Sequence, residues 1–474
     1  MEEIMIRITR TKQGMVRGLP AADPYITSFK GIQFAKPPVG DLRWRAPQEA
    51  MEYIGIKDCF EFAPISLQNT PGENKEDFYS REWNLYPEIP MSEDCLYLNI
   101  WTPAKTIEER LPVYVWYFGG ALQFGNTAEM EFDGERIARR GIVVVSVNYR
   151  INVFGFFAHP ELTREHPEAP ANFGNLDQKA GLQWVYENIM AFGGDPQQIT
   201  IGGQSAGGGS VLTQLNDASN KLYIKRAVVE SGMFLSPFHD SPYPTLEQLE
   251  KQGETFFEKL GIKSLREARE LPASYLRDKN REFEFQWWTA IDWVFQKEYY
   301  LKNLLSGKVL DVPLLFGYTK DEFLEERNGI KINTIQLAVV ATVLSMRKTG
   351  RHKNSYCYEF ALDMPGEDRP GAFHSSDLWF FFETLAKCFR PFTGVHYDLA
   401  RTMCDSLANF IRTGNPNDRK GINSLLPEWE DCLCLDGNLM VFDTTIMRKR
   451  LESEQELFAM AETFLEQELL SEIK

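Results

Sequence analysis

The residues most able to do chemistry sit in one short run, Gly203-Gln204-Ser205-Ala206-Gly207, which follows the apolar stretch Gln198–Gly202. This is the G-x-S-x-G elbow: flanking glycines let the chain turn sharply, so that a strained serine stands clear of a strand end. Ala206 to Val211 have small side chains and would open a helix whose N-terminus favours developing negative charge. A serine hydroxyl becomes a nucleophile only with a base beside it, usually histidine.

The chain has six histidines. His166 lies among Glu165, Pro167 and Glu168, a solvated loop, and His352 falls in the basic run Arg351-His352-Lys353. His159 follows Phe154-Gly155-Phe156-Phe157 and His396 begins a helix, both ordinary structural positions. His239 has Asp240 beside it, but adjacent side chains diverge. His374, in the loop Gly371-Ala372-Phe373-His374-Ser375-Ser376 after the run Ser355–Ala361, is at the right end of the right kind of element. It is the predicted base.

The carboxylate that orients the base should follow another strand. Val312–Tyr318 leads into Asp321 and Glu322, and the residue pattern does not separate the two. Either would hold the imidazole tautomer and stabilise the imidazolium. Val113–Phe118 runs into Gly119-Gly120-Ala121-Leu122, whose N–H groups, with that of Ala206, would form an oxyanion hole. One such donor is worth about 2.7–4 kcal/mol in the barrier. The order serine, acid, histidine is that of α/β-hydrolases.

The elements that must position these groups show in the pattern. Leu96–Trp101, Val113–Phe118, Ile142–Asn148, Gln198–Gly202, Arg226–Glu230, Val312–Tyr318 and Ser355–Ala361 are apolar, β-branched runs with helical patterns between them. Such runs predict strands buried on both faces, hence an α/β fold with a central, mostly parallel twisted sheet and helices on both faces. Reactive groups then belong at the carboxyl ends of the strands. The spacing predicts a helix over Asp177–Phe192 capped by Asp177, and one or two amphipathic surface helices over Thr445–Ile473.

The 474 residues carry 43% hydrophobic and 13% aromatic side chains, enough for a large core. No linker or repeat divides them, so a single domain over 1–474 is expected, with excursions around 235–310 and 323–353. A net charge of −16 argues against nucleic acid and anionic membrane surfaces as partners. The longest apolar stretch outside the strands, Ile335–Met346, is about half a membrane span. The N-terminal MEEIMIRITRTKQG lacks the basic and apolar regions of a secretory signal. Seven scattered cysteines fit neither zinc spacing nor a disulfide framework. A cytoplasmic enzyme with reduced thiols, no metal and no cofactor is expected, its partner a small molecule; a monomer and a dimer fit equally well.

Beyond these readings, the sequence resembles the type-B carboxylesterase family, which includes bacterial p-nitrobenzyl esterases and cholinesterases. The likeness runs from Phe29-Lys30-Gly31-Ile32-Gln33-Phe34-Ala35 and Pro37-Pro38-Val39-Gly40 through Ser92-Glu93-Asp94-Cys95-Leu96-Tyr97-Leu98-Asn99-Ile100 and Asn148-Tyr149-Arg150. It continues through Leu176-Asp177-Gln178, Asn188-Ile189 and Phe192-Gly193-Gly194-Asp195-Pro196 to the elbow. The resemblance implies the α/β-hydrolase fold and hydrolysis of carboxylic esters through an acyl-enzyme. It makes Ser205 the nucleophile, His374 the general base and acid, and Glu322 the orienting acid, with oxyanion donors at Gly120, Ala121 and Ala206. It implies that Ser231 supports the acid, and that Arg43 with Glu93 and Arg150 with Asp195 form structural ion pairs.

Against the family pattern, Phe118 replaces a histidine or tyrosine and Ala121 the third oxyanion glycine. Phe323 replaces the glycine after the acid, and Gln204 the glutamate before the nucleophile, which disfavours cationic substrates. Ser66 takes the place of an early disulfide partner of Cys95. Ser205 and Glu322 are 117 positions apart, Glu322 and His374 only 52, which predicts a shortened cap and an open cleft. Aromatic clusters at Trp287-Trp288, Trp293 and Phe295, and at Trp379 to Phe382, could line a pocket, and at least one of the latter group is expected to face the cleft. Two other functions fit the sequence: a non-catalytic binding or adhesion relative, and the same triad acting on amides, carbamates or thioesters.

Overall fold

The computed structural model describes residues 5–70, 72–73, 76–83, 89–234, 243–327, 329–351, 353–417, 428–434 and 437–471. His239 and His352 lie outside them. The chain forms two compact units.

The first comprises Met1–Met130, Gly141–Gln197 and Tyr243–Glu298. Its longer sheet strands include β1 (Thr27–Gln33), β2 (Tyr97–Thr102), β3 (Leu111–Tyr117) and β4 (Val143–Val147). β2 runs antiparallel to both β1 and β4, and β3 runs parallel to β4. The continuous apolar runs of β3 and β4 are buried on both faces, as such runs must be to remove their side chains from water. A register shift between Phe29 and Ile32 interrupts β1, and Asn99 Oδ1 accepts the Gly31 N–H at 2.9 Å beside it.

Helix α1 (Phe173–Asn188) starts four residues before the expected Asp177, with Asn172 at its N-cap, and passes into a 3₁₀ turn over Ile189–Phe192. Asp177 is inside the helix because its carboxylate is engaged elsewhere. Arg150 donates to it from Nε (2.7 Å) and Nη2 (2.7 Å), and both side chains are buried. The expected pairing of Arg150 with Asp195 is therefore corrected: Asp195 accepts the Gln197 N–H in its own turn, 2.9 Å away. Arg43 and Glu93 do pair, at 2.6 and 2.8 Å.

The second unit comprises Glu131–Arg140, Gln198–Pro242 and Tyr299–Lys474. Into it runs β5 (Gly194–Gln204), followed by α2 (Ala206–Asn216), β6 (Arg226–Glu230), β7 (Leu314–Thr319), α3 (Thr334–Lys348) and β8 (Ser355–Phe360). α4 (Leu378–Phe381), α5 (Gly394–Thr413), β9 (Asn438–Phe442), β10 (Met447–Arg450) and α6 (Gln455–Ser471) follow. The strands β5 to β9 pair in succession, all parallel, and β10 closes the edge antiparallel to β9. The C-terminal segment expected to be helical throughout thus begins as a strand. Met-Arg-Lys-Arg has little apolar content because its flanks are wet, and charged side chains are usual on an edge strand.

Register brings Gln204, Glu230, Gly317 and Tyr358 into one row near the carboxyl ends of four neighbouring strands. The apolar stretch Ile335–Met346 is the buried body of α3. Asn333 caps α3 by accepting from Ile335 and Gln336 N–H, and its amide donates to Thr319 O at 2.8 Å, fastening the helix to the end of β7. Among the described residues no helix is long and apolar enough to cross a membrane.

Candidate active site

Ser205 stands between β5 and α2 at φ 54°, ψ −128°, far from any relaxed conformation of a side-chain-bearing residue. The turn is possible because Gly203 lies against the next helical turn; a Cβ there would meet the Gly207 carbonyl at 2.4 Å. Two backbone bonds hold it, Ser205 N–H to Glu230 O (2.8 Å) and Gly209 N–H to Ser205 O (2.9 Å).

His374 Nε2 is 2.8 Å from Ser205 Oγ, and His374 Nδ1 is hydrogen-bonded to Glu322 Oε2. A carboxylate on Nδ1 fixes the proton there and leaves Nε2 to accept from the serine. Glu322 Oε1 accepts the Thr319 N–H at 2.9 Å, so the acid cannot rotate freely. The neighbouring acid has a different task. Asp321 Oδ2 accepts the Ala372 N–H at 2.9 Å, and Asp321 N–H donates to Ala372 O at 3.0 Å, pinning the loop that carries the histidine. Of the other described histidines, His159 accepts the Glu161 N–H at the start of a short helix and His396 caps α5.

Gln204 Nε2 donates to Ser375 Oγ at 2.7 Å and lies 3.4 Å from His374 Nε2. Ser231 was expected to support the acid; instead no protein group partners its buried Oγ among the described residues. Its backbone is committed to the sheet, N–H to Gly317 O at 2.9 Å, while Thr319 supplies Glu322 from the main chain. Ser205, Ser231, Phe323 and Ser375, all non-glycine, have positive φ. Strain of this kind gathers where surrounding structure over-determines the backbone.

A second group of acids lies close by, with no signature in the residue pattern. Glu230 is fully buried, and burial, reinforced by Asp377, holds its carboxyl well above the usual range. Asp377 accepts from Tyr358 OH at 2.7 Å and is pushed up to about 7, by burial first and Glu322 next, although the Tyr358 bond and His374 oppose it. An acid whose folded pKa is raised stabilises the fold below its unfolded pKa near 4 and loses that contribution as pH climbs through the folded value. Glu230→Gln should therefore raise the thermal midpoint by about 2–4 °C at pH 8 and by less at pH 5. Differential scanning calorimetry at the two pH values checks this.

Within the first unit, Gly120 (φ 103°) and Ala121 (φ 53°) form the turn after β3. A Cβ on Gly120 would stand 2.2 Å from Phe124 O, so only glycine fits. Phe118 stacks on Tyr149 with ring centroids 4.2 Å apart, and Tyr149 OH donates to Phe118 O at 2.6 Å. Of the aromatics expected at a pocket, Trp379 to Phe382 are all 0% exposed. Phe381, Phe380 and Phe382 pack on Tyr358, Phe360 and Phe132 in the core, and Trp379 is as deeply buried, so none meets the expectation of facing a cleft. Trp287 is likewise core, against Phe157, Phe256 and Phe285, whereas Trp293 is 64% exposed.

The model of the Carboxylesterase family matches residues 6–334 and 327–460. The chain belongs to this family. Among relatives, a para-nitrobenzyl esterase of Bacillus subtilis is 35% identical over 329 residues, 67% of this chain and 63% of its own. A fumonisin B1 esterase of Sphingopyxis macrogoltabida is 37% identical over 247 residues, 52% of this chain and 42% of its own, so the chain spans well under two thirds of that relative. Among solved structures, a PNB esterase superposes with TM-score 0.80 at 27% identity, covering 95% of this chain and 98% of that one. A Geobacillus stearothermophilus carboxylesterase gives TM-score 0.79 at 27% identity, covering 96% and 99%. The α/β-hydrolase fold of these neighbours is the fold of this family member too. Cys95 is free and buried, with Ser66 beside it, where the family pattern has a disulfide.

Proposed function

We propose that this chain hydrolyses carboxylic esters through an acyl-enzyme on Ser205. The observation that carries the reading is the unbroken relay from Glu322 through His374 to Ser205 Oγ. His374 Nε2 takes the hydroxyl proton as Ser205 Oγ attacks the ester carbonyl. Glu322 stabilises the imidazolium that forms. The tetrahedral intermediate collapses, the C–O bond to the alcohol breaks, and His374 returns the proton to the departing oxygen. Water, deprotonated by the same imidazole, then releases the acid and restores the serine. On the family pattern the oxyanion donors are the N–H groups of Gly120, Ala121 and Ala206; Ala206 opens α2, where N–H groups have no intrahelical acceptor.

Gln204 leaves the position before the nucleophile uncharged, which supports neutral rather than cationic esters. The interval from Glu322 to His374 holds a hairpin (Leu324–Arg327, Ile330–Asn333), α3, β8 and a loop, which supports a short cover and an approach open to bulky acyl groups. Seven free cysteines support a reducing compartment such as the cytoplasm. Mixing the purified protein with p-nitrophenyl butyrate should give a stoichiometric burst of p-nitrophenol where deacylation is slower than acylation, and steady turnover otherwise. No release above the buffer rate would contradict the proposal.

A further inference from the structure

Phe323, directly after the acid, has φ +42°, where a bulky side chain is rare. Its backbone is tied down, its carbonyl accepting the Thr334 N–H at 3.2 Å. Glycine would take this conformation freely. The ring is 38% exposed, so core packing does not account for the strain. It does meet the base: its centroid is 4.6 Å from that of the His374 imidazole, with the planes at 64°. Phe234 stands 6.0 Å from Phe323 at 84°, bracing it edge-on.

Resting on the triad reading above, we propose that Phe323 is a positioning residue, holding the His374 ring between Glu322 and Ser205 by an edge-to-face contact. The imidazole must face the serine when it accepts the proton and the leaving alcohol when it returns it. Between those events Glu322 holds it at Nδ1, and rotation of the side chain would break both ends of the relay. Phe323 narrows that rotation from the side. Because it adjoins Glu322 in the chain, the wall and the acid hold fixed relative positions. The ring contact it makes in the site is with His374, so its effect passes through that imidazole.

The test compares wild type, Phe323→Gly, Phe323→Tyr, Phe323→Leu and Ser205→Ala. Each is assayed on p-nitrophenyl butyrate, for its rate of labelling by a fluorophosphonate, and for its thermal midpoint. Phe323→Gly should lower kcat and the labelling rate about tenfold, the size of one aromatic contact, while KM changes less than about twofold. Its thermal midpoint should stay level or rise, since glycine relieves the strained φ; a merely structural role would move stability and activity down together. Phe323→Tyr should keep kcat within about twofold of wild type, and Phe323→Leu, which has bulk without a ring edge, should stay as slow as the glycine variant. The proposal is overturned if Phe323→Gly keeps its kcat and labelling rate, if Leu restores them as well as Tyr, or if Tyr fails to restore them. Ser205→Ala hydrolysing at the wild-type rate would instead overturn the triad reading itself.

Discussion

Ser205→Ala is expected to lower kcat/KM for a p-nitrophenyl ester by about 10⁵–10⁶, the loss seen when a serine nucleophile is removed from an otherwise intact site. No neighbouring side chain can take over. Ser231 has a buried hydroxyl beyond the end of β6, and Ser375 Oγ is occupied by the Gln204 amide. The fold should survive the change, because the strained turn is fixed by Gly203 and by the two backbone bonds of residue 205 rather than by the hydroxyl. A residual rate of about 10³ over buffer would remain from oxyanion donors acting on a bound water. Steady-state kinetics, with circular dichroism to confirm folding, checks both parts.

Glu322→Gln and Asp321→Asn, one residue apart, should differ by orders of magnitude. In the first, the amide no longer balances the imidazolium and can face Nδ1 with its NH₂ group, which forces the wrong tautomer; kcat should fall about 10⁴-fold. In the second, the remaining amide oxygen can still accept the Ala372 N–H, so the loop stays pinned and kcat should fall less than about tenfold. Parallel kcat measurements on the two variants decide the matter. Equal losses would mean that the carboxylates act as a pair.

A strand, two glycines and a serine make the elbow legible, because few other residues allow the turn. His374 follows from the environments of the six histidines. Asp321 and Glu322 were inseparable because both follow the same strand; what distinguishes them is the backbone of the 371–372 loop, which occupies one carboxylate and leaves the other to the imidazole. The same blindness to distant partners explains Arg150, for which the family pattern suggested Asp195 and the fold supplies the buried Asp177. Strands β1, β9 and β10 were not read from the sequence; β1 is broken by a register shift and β10 is charged along its wet edge. The aromatic run Trp379 to Phe382 closely follows the base, yet α4 turns it inward onto β8. The buried pair Glu230 and Asp377 has no sequence signature, since acids at strand and helix ends are usually solvated.

The most direct measurement is mass spectrometry of peptides after exposure to a fluorophosphonate. Ser205 as nucleophile predicts a single adduct, on the peptide containing Ser205, absent in Ser205→Ala and formed far more slowly in His374→Ala. A stoichiometric adduct on any other residue, or ester hydrolysis that continues unchanged once Ser205 is fully blocked, would contradict it.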